Sequence, residues 1–232
     1  SNGEPDAKRW YAHLQTILNQ MLPTGNFPRF NNKLHWVQNI NGRVAAYQEA
    51  ARISSTPWFF AVFAKLDVNL AFPWDWQPDR MQQPKHYIFH AENAVNGLIY
   101  GHQAMIAYNR QLTLNNPGIG LDFTLDSPHE VVPIMSGTTW YSDSAWSAWR
   151  TAFRECIKLK HSLPNIENEY RLNQWLTKNG VGPIGEWSIR GAQDAVEYYD
   201  QVNGNFDALK KTYEWGWLAT YASLKYDFTS QL

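Results

Sequence analysis

Two arginines, Arg150 and Arg154, stand four residues apart in the stretch Trp149-Arg150-Thr151-Ala152-Phe153-Arg154-Glu155-Cys156-Ile157-Lys158-Leu159-Lys160. Trp149, Phe153, Cys156, Ile157 and Leu159 recur at roughly helical spacing, so the stretch predicts a helix. Residues four apart leave one helix face together, which puts both guanidinium groups on the same side. Planar, permanently charged forks beside tryptophan suit a phosphate, a diphosphate or a carboxylate. Glu155, next to Arg154, is placed to pair at the rim of that face. Asp143, just ahead of the helix, is read either as its cap or as a partner in a site shared with Arg150.

A second constellation is Ala64-Lys65-Leu66-Asp67-Val68, which follows the apolar run 58–64. That run predicts a strand buried on both faces. Ligands of open α/β sheets sit at the carboxyl ends of strands. There Lys65 would balance a diphosphate, and Asp67 would bind a metal or a ribose hydroxyl, unless the two are simply polar residues that end a strand. In the loop 72–79, Trp74 and Trp76 flank Asp75. They would stack on a ring, or pack inward from a proline-pinned loop. His86, His90, His102 and His129 show no His-Glu-x-x-His spacing. A single histidine acting as acid, base or donor is the better reading than a metal cluster.

The elements that must position these residues alternate in type. Helices are expected at 5–22 and 42–54, and strands at 34–39, 58–66, 86–91, 101–109 and 130–134, with a turn at 115–120. From residue 144 the pattern becomes helical, at 144–161, 166–177, 191–202, 207–211 and 217–226. Alternation of this kind predicts an α/β fold with a mostly parallel sheet. One domain is expected, with an α/β part over 1–140 and a largely helical part over 141–232.

Bulk properties narrow the function classes. The 232 residues carry 20 basic and 21 acidic side chains, so no global field holds a long nucleic acid and any such contact is local. The single cysteine, Cys156, excludes an intrachain disulfide and a multi-cysteine zinc site and fits a reducing compartment. No apolar run nears the roughly 20 residues of a membrane span, and no signal peptide opens the chain. A cytoplasmic protein without membrane partners is therefore expected. Twelve tryptophans, twelve tyrosines and eleven phenylalanines either fill a core or stack on sugars and bases. There is no P-loop, no Gly-x-Gly-x-x-Gly and no Gly-x-Ser-x-Gly, which disfavours a phosphate-loop NTPase, a Rossmann dehydrogenase and an α/β hydrolase.

Several segments, taken in order, resemble a family. They are Ser1-Asn2-Gly3-Glu4-Pro5-Asp6-Ala7, Gly42-Arg43 with its alanine-rich helix, Thr56-Pro57-Trp58-Phe59-Phe60, residues 72–79, His129-Glu130-Val131-Val132-Pro133, Ala148-Trp149-Arg150-Thr151-Ala152-Phe153-Arg154-Glu155, and Leu209-Lys210-Lys211 with Trp217-Leu218. Together they are similar to the glycosyltransferase-like proteins of tailed phages, which look like GT-A type nucleotide-diphospho-sugar transferases. The resemblance spans most of the chain, and the Trp-Arg-x-Ala-Phe-Arg-Glu stretch is its most specific part.

The resemblance implies a GT-A-like domain in the host cytoplasm, using a nucleotide-sugar donor, a UDP-sugar first among them. The acceptor it implies is a hydroxylated pyrimidine in phage DNA. Donor contacts would fall to Glu4, Arg43, Lys65, Asp67, Arg150 and Arg154, and acceptor contacts to Trp74, Trp76 and His129. Asp143, Glu155 or Asp194 would be the base that deprotonates the acceptor. Very little precedes Glu4, so the usual first strand of such a domain is expected to be absent or supplied otherwise. Relatives of this type hold a Mn or Mg ion with Asp-x-Asp, but the matching positions here are Ala64-Lys65-Leu66, with Asp67 one place off. Lys65, with Arg150 or Arg154, is then expected to replace the metal at the leaving diphosphate. The alternatives are a non-catalytic sugar- or DNA-binding module and a virion-associated protein that keeps the fold.

Overall fold

The computed structural model describes residues 7–20, 33–140, 144–162, 164–178 and 184–228. They form two compact units. The first comprises the chain up to Glu92 together with Ile99–Thr139; the second takes Asn93–Leu98 and the chain from Trp140.

The first unit is α/β. Its elements are α1 (Ala7–Gln20), α2 (Arg43–Ile53), β1 (Trp58–Val62), β2 (Leu66–Val68), β3 (His86–Asn93), β4 (Ile99–Asn109), α3 (Arg110–Asn115) and β5 (His129–Thr139). The strands form one sheet in the order β1-β4-β3-β5-β2. The pairs β1–β4, β3–β4 and β2–β5 are antiparallel. β3 and β5 run in the same direction: His86 N–H donates to Pro128 O (2.8 Å) at one end, and Ser136 Oγ to His90 O (2.8 Å) and Thr139 Oγ1 to Glu92 O (3.2 Å) farther along. The sheet is therefore mixed, and the expected mostly parallel arrangement gives way to one parallel pairing among four. The hairpin between β3 and β4 has no helical crossover to make it parallel.

The sheet is curled. Val62 and Leu66 are four residues apart, a reach of about 14 Å at most, whereas four strand spacings measure about 19 Å. Yet β1 and β2 lie at opposite ends of the strand order. Curling also explains Gly101: β3 separates its strand from β5, but a Cβ at Gly101 would lie 2.8 Å from the methyls of Val131. At the β2–β5 pairing Gly137 has φ +151°, and a Cβ there would meet Asp67 O at 2.0 Å. Only glycine fits where the two backbones approach so closely.

Both sheet faces carry apolar side chains, alternating along each strand. On one face Phe60, Phe72, Trp74, Tyr87, Phe89, Met105 and Ala107 pack with Leu14 and Ile17 of α1; on the other, Tyr47 and Val44 of α2 pack with Phe59, Ala61, Ile88, Ile106, Tyr108 and Phe123. This explains the unbroken apolar run of β1, which is an edge strand bonded only to β4. One expectation fails locally: residues 34–39 form no strand. Residues 110–115, for which no element is expected before the turn at 115–120, form a short helix capped by Asn109, whose side chain accepts from Leu112 N–H.

The second unit is helical: α4 (Ala145–His161), α5 (Ile166–Thr177), α6 (Ile184–Gln201), α7 (Phe206–Lys211) and α8 (Trp215–Ser223). Ser144 caps α4 by accepting from Ser147 N–H at 3.1 Å. Lys158, Lys160 and His161 sit in the last turn of α4, where cations complement the helix dipole. Gly185, Ser188, Gly191, Ala192 and Ala195 give α6 a buried stripe of small residues. α4 approaches that stripe so closely that a Cβ on Gly191 would lie 2.2 Å from Trp149 O. Trp149, Phe153, Tyr198, Tyr221, Trp217 and Phe228 form the aromatic core around this crossing.

Candidate functional site

The corner between β1 and β2 brings chemistry-bearing side chains together within the first unit. Phe63 N–H still bonds to Ala104 O (2.9 Å), and Leu66 N–H then turns back to Phe63 O (3.0 Å). This tight turn carries Ala64 and Lys65 at the end of the apolar strand. Leu66 and Val68 are buried, and Asp67 between them is held toward solvent by strand alternation. Its carboxylate meets an imidazole from α1: His13 Nε2 and Asp67 Oδ1 are 3.2 Å apart, with side chains 34% and 41% exposed. Trp10 sets its edge against His13 (6.2 Å between ring centres), and Arg9 lies over Trp10 at 4.7 Å. The turn thus carries Lys65 two residues before a half-exposed carboxylate that meets an imidazole. An imidazole held by a carboxylate is suited to proton transfer or to contributing positive charge.

Sequence reasoning missed His13. It was visible only as a polar residue on an amphipathic helix, and its pairing across 54 positions with Asp67 has no local signature.

Asp67 has one carboxylate oxygen paired with His13. Among the described residues no three His, Cys, Asp or Glu side chains converge to hold a metal ion.

The remaining candidates in the first unit are engaged in the fold. Both terminal nitrogens of Arg43 donate to Leu121 O, at 3.3 and 3.2 Å, and so pin the loop 116–128 to the start of α2. Trp74 is buried against Phe60 and Phe72, and Trp76 sets its ring edge-to-face on Tyr87 and Phe89. Of the two readings of this loop, inward packing is the one realised. His129 is exposed, with Nδ1 2.9 Å from Ser127 O. Its neighbour Glu130 pairs with Lys85 at 2.8 Å. Behind it lies His86, fully buried, its Nδ1 accepting from Asn109 N–H (3.1 Å). Burial, together with the charge of His129, lowers its pKa from 6.5 to about 4.

In the second unit the two arginines do share a face of α4, but each is stacked on a ring. Arg150 lies over Trp215 at 4.7 Å and Arg154 over Tyr213 at 4.4 Å. Glu155 pairs with Arg171 Nη2 (2.5 Å) and Lys158 Nζ (2.7 Å). Asp194 accepts from Trp149 Nε1–H (2.7 Å) and Lys225 Nζ (2.8 Å). Both carboxylates are thus structural partners rather than bases open to an acceptor. Cys156 is fully buried, which pushes its thiol pKa well up and leaves it inert. Glu4 and Asp143 lie outside the described residues.

No family model, curated protein or solved structure matches the chain. No helix among the described residues is long and apolar enough to cross a membrane.

Proposed function

We propose that this chain is a GT-A-like glycosyltransferase that binds a nucleotide-sugar, a UDP-sugar in the first instance, and transfers the sugar to a hydroxylated pyrimidine in DNA. The observation that carries the reading is the β1–β2 corner, where Lys65 and the His13–Asp67 pair close an apolar strand. In such a transfer the bond between the anomeric carbon and the diphosphate oxygen breaks, a bond to the acceptor oxygen forms, and the acceptor hydroxyl's proton passes to a carboxylate base, Asp143 being the sequence candidate left for that role. The diphosphate leaves with added negative charge, and Lys65 would offset it. His13 in its protonated form would add to that charge, and Asp67 would hold the imidazole in place.

The test is incubation of the full chain with nucleotide-sugars and hydroxymethylated DNA, followed by nucleoside mass analysis and donor calorimetry. Mass gain on the base, lost in Lys65→Ala, supports the reading. Absence of both donor binding and mass gain overturns it. A second reading, a module of this fold that binds sugar or DNA without turnover, draws support from the structural roles of Glu155 and Asp194, which leave neither carboxylate as acceptor base. Donor binding without mass gain selects it.

A further inference from the structure

We propose that a strip on the helical unit, made by Arg150, Arg154, Lys210, Lys211, Tyr213 and Trp215, is a platform for single-stranded nucleic acid. It deepens the reading above by placing the nucleic-acid partner, and it rests on DNA being that partner.

Three observations converge. Arg150 and Arg154 project from one face of α4 at a spacing of four. Tyr213, between α7 and α8, and Trp215, the first residue of α8, each lay a ring on a guanidinium, Trp215 on Arg150 at 4.7 Å and Tyr213 on Arg154 at 4.4 Å. Trp215 remains 53% exposed, although Trp146 touches it edge-on at 5.7 Å. A large aromatic left in water beside arginines is the arrangement that stacks bases without reading their identity. Finally, Lys210 and Lys211, both exposed, extend the charge along the last turn of α7. Lys210 and Lys211 thus add to two arginines on one helix face, whereas the whole chain carries net charge −1. This is a local basic surface rather than a global one. A flat base fits the ring, and the phosphates on either side of it fit the arginines and lysines. A duplex, whose bases are already stacked, would present only its phosphates.

The experiment is fluorescence anisotropy of the full chain with a short labelled oligothymidylate, across a range of salt. Binding should weaken with salt, and Trp215→Ala should lower affinity about 5- to 150-fold, the worth of one stacked base. Trp215→Phe keeps a ring and should recover most of that loss, with a melting temperature like the parent's showing that the fold is intact. Lys210→Ala with Lys211→Ala should flatten the salt slope by about 0.7 for each phosphate contact removed. Absence of oligonucleotide binding, unchanged affinity in Trp215→Ala, or equally tight binding of polyglutamate would each overturn the proposal. Nucleotide-sugar calorimetry on the same protein separates the two ideas. Donor binding without oligonucleotide binding removes the strip and leaves transfer to another acceptor. Oligonucleotide binding at the strip without donor binding keeps the strip and removes the transferase.

Discussion

Trp149 and Asp194 are joined by a buried hydrogen bond from indole Nε1 to carboxylate Oδ2, 2.7 Å long, across the α4–α6 crossing. The other oxygen of Asp194 takes Lys225 Nζ at 2.8 Å, and the same ammonium reaches Glu197 at 2.6 Å. The carboxylate thereby ties α4, α6 and the chain after α8 to one point. Removing it strands an indole N–H in the aromatic core, where an unpaired donor is costly. Asp194→Ala should therefore destabilise the second unit by about 3 kcal/mol, of the order seen when one partner of a buried pair is removed. Urea melts followed by near-UV circular dichroism would measure it. A change within experimental error would mean that Asp194 is dispensable to the fold and restore it as a candidate base.

Asp194 also shapes the alkaline limb. Burial, then the hydrogen bond to Asp194, raises Tyr226 from its ordinary value of 10.0 to about 12. The phenol of the unfolded chain ionises first as pH rises, so the stabilisation is complete below pH 10 and is lost as pH climbs through 12. Tyr226→Phe should make thermal stability less sensitive to pH in that window, as read by melting temperature against pH.

His86 governs the acid limb. Its Nδ1 accepts from Asn109 N–H, so the proton of the neutral ring sits on Nε2, and a second proton would turn the acceptor into a donor facing a donor. The folded pKa is about 4 against 6.5 when unfolded. Stability is thus whole above pH 6.5 and falls as pH drops toward 4, where the unfolded chain alone is protonated. A shift of this size corresponds to about 3 kcal/mol over the window. His86→Gln should flatten the loss between pH 6.5 and 4 in urea midpoints, although its starting stability will be lower.

Much of this architecture is legible in local sequence. Ile166–Thr177 matches the predicted helix at both ends, and Ser144–His161 differs only in that Ser144 is the cap. Period 3.6 and polar caps are local properties, and the structure keeps them. Strand order and direction are not local. The apolar run at 58–62 says that both sides are covered, but whether β4 pairs with it in parallel depends on the hairpin between Asn93 and Ile99, more than 30 residues later. The site reading divides on the same line. Lys65 and Asp67 are found from their place after an apolar strand. His13 is not, because its partner arrives from another element. Arg150 and Arg154 share a face as their spacing requires, but no spacing announces that Trp215 and Tyr213 will lie on them.

Gly191 is where helix packing tolerates no side chain. An added Cβ would come 2.2 Å from Trp149 O, a backbone atom that cannot rotate aside. Gly191→Ala gains helix propensity worth about 1 kcal/mol, yet α4 and α6 must separate to admit it. The expected outcome is a net loss of about 3 kcal/mol, at the upper end of overpacking effects, with weakened near-UV signals from the tryptophans at the crossing. A stabilised variant would contradict the close approach.

Glu155 discriminates between a catalytic and a structural carboxylate. Its side chain is only 14% exposed and is clamped by Arg171 at 2.5 Å and Lys158 at 2.7 Å. A base needs an oxygen open to an acceptor hydroxyl, and both oxygens here already serve cations. Glu155→Gln keeps the shape and removes the charge, leaving the largely buried Arg171 beside a neutral amide, so it should destabilise the helical unit by about 2 kcal/mol. Replacing Arg171 by Met in the same chain removes the stranded charge and should recover part of that loss, as paired apolar replacements of buried ion pairs do. Any effect on sugar transfer should then follow the folded fraction and be rescued in the double variant. Loss of transfer at unchanged stability, without rescue by Arg171→Met, would instead make Glu155 the base and require the clamp to open around substrate.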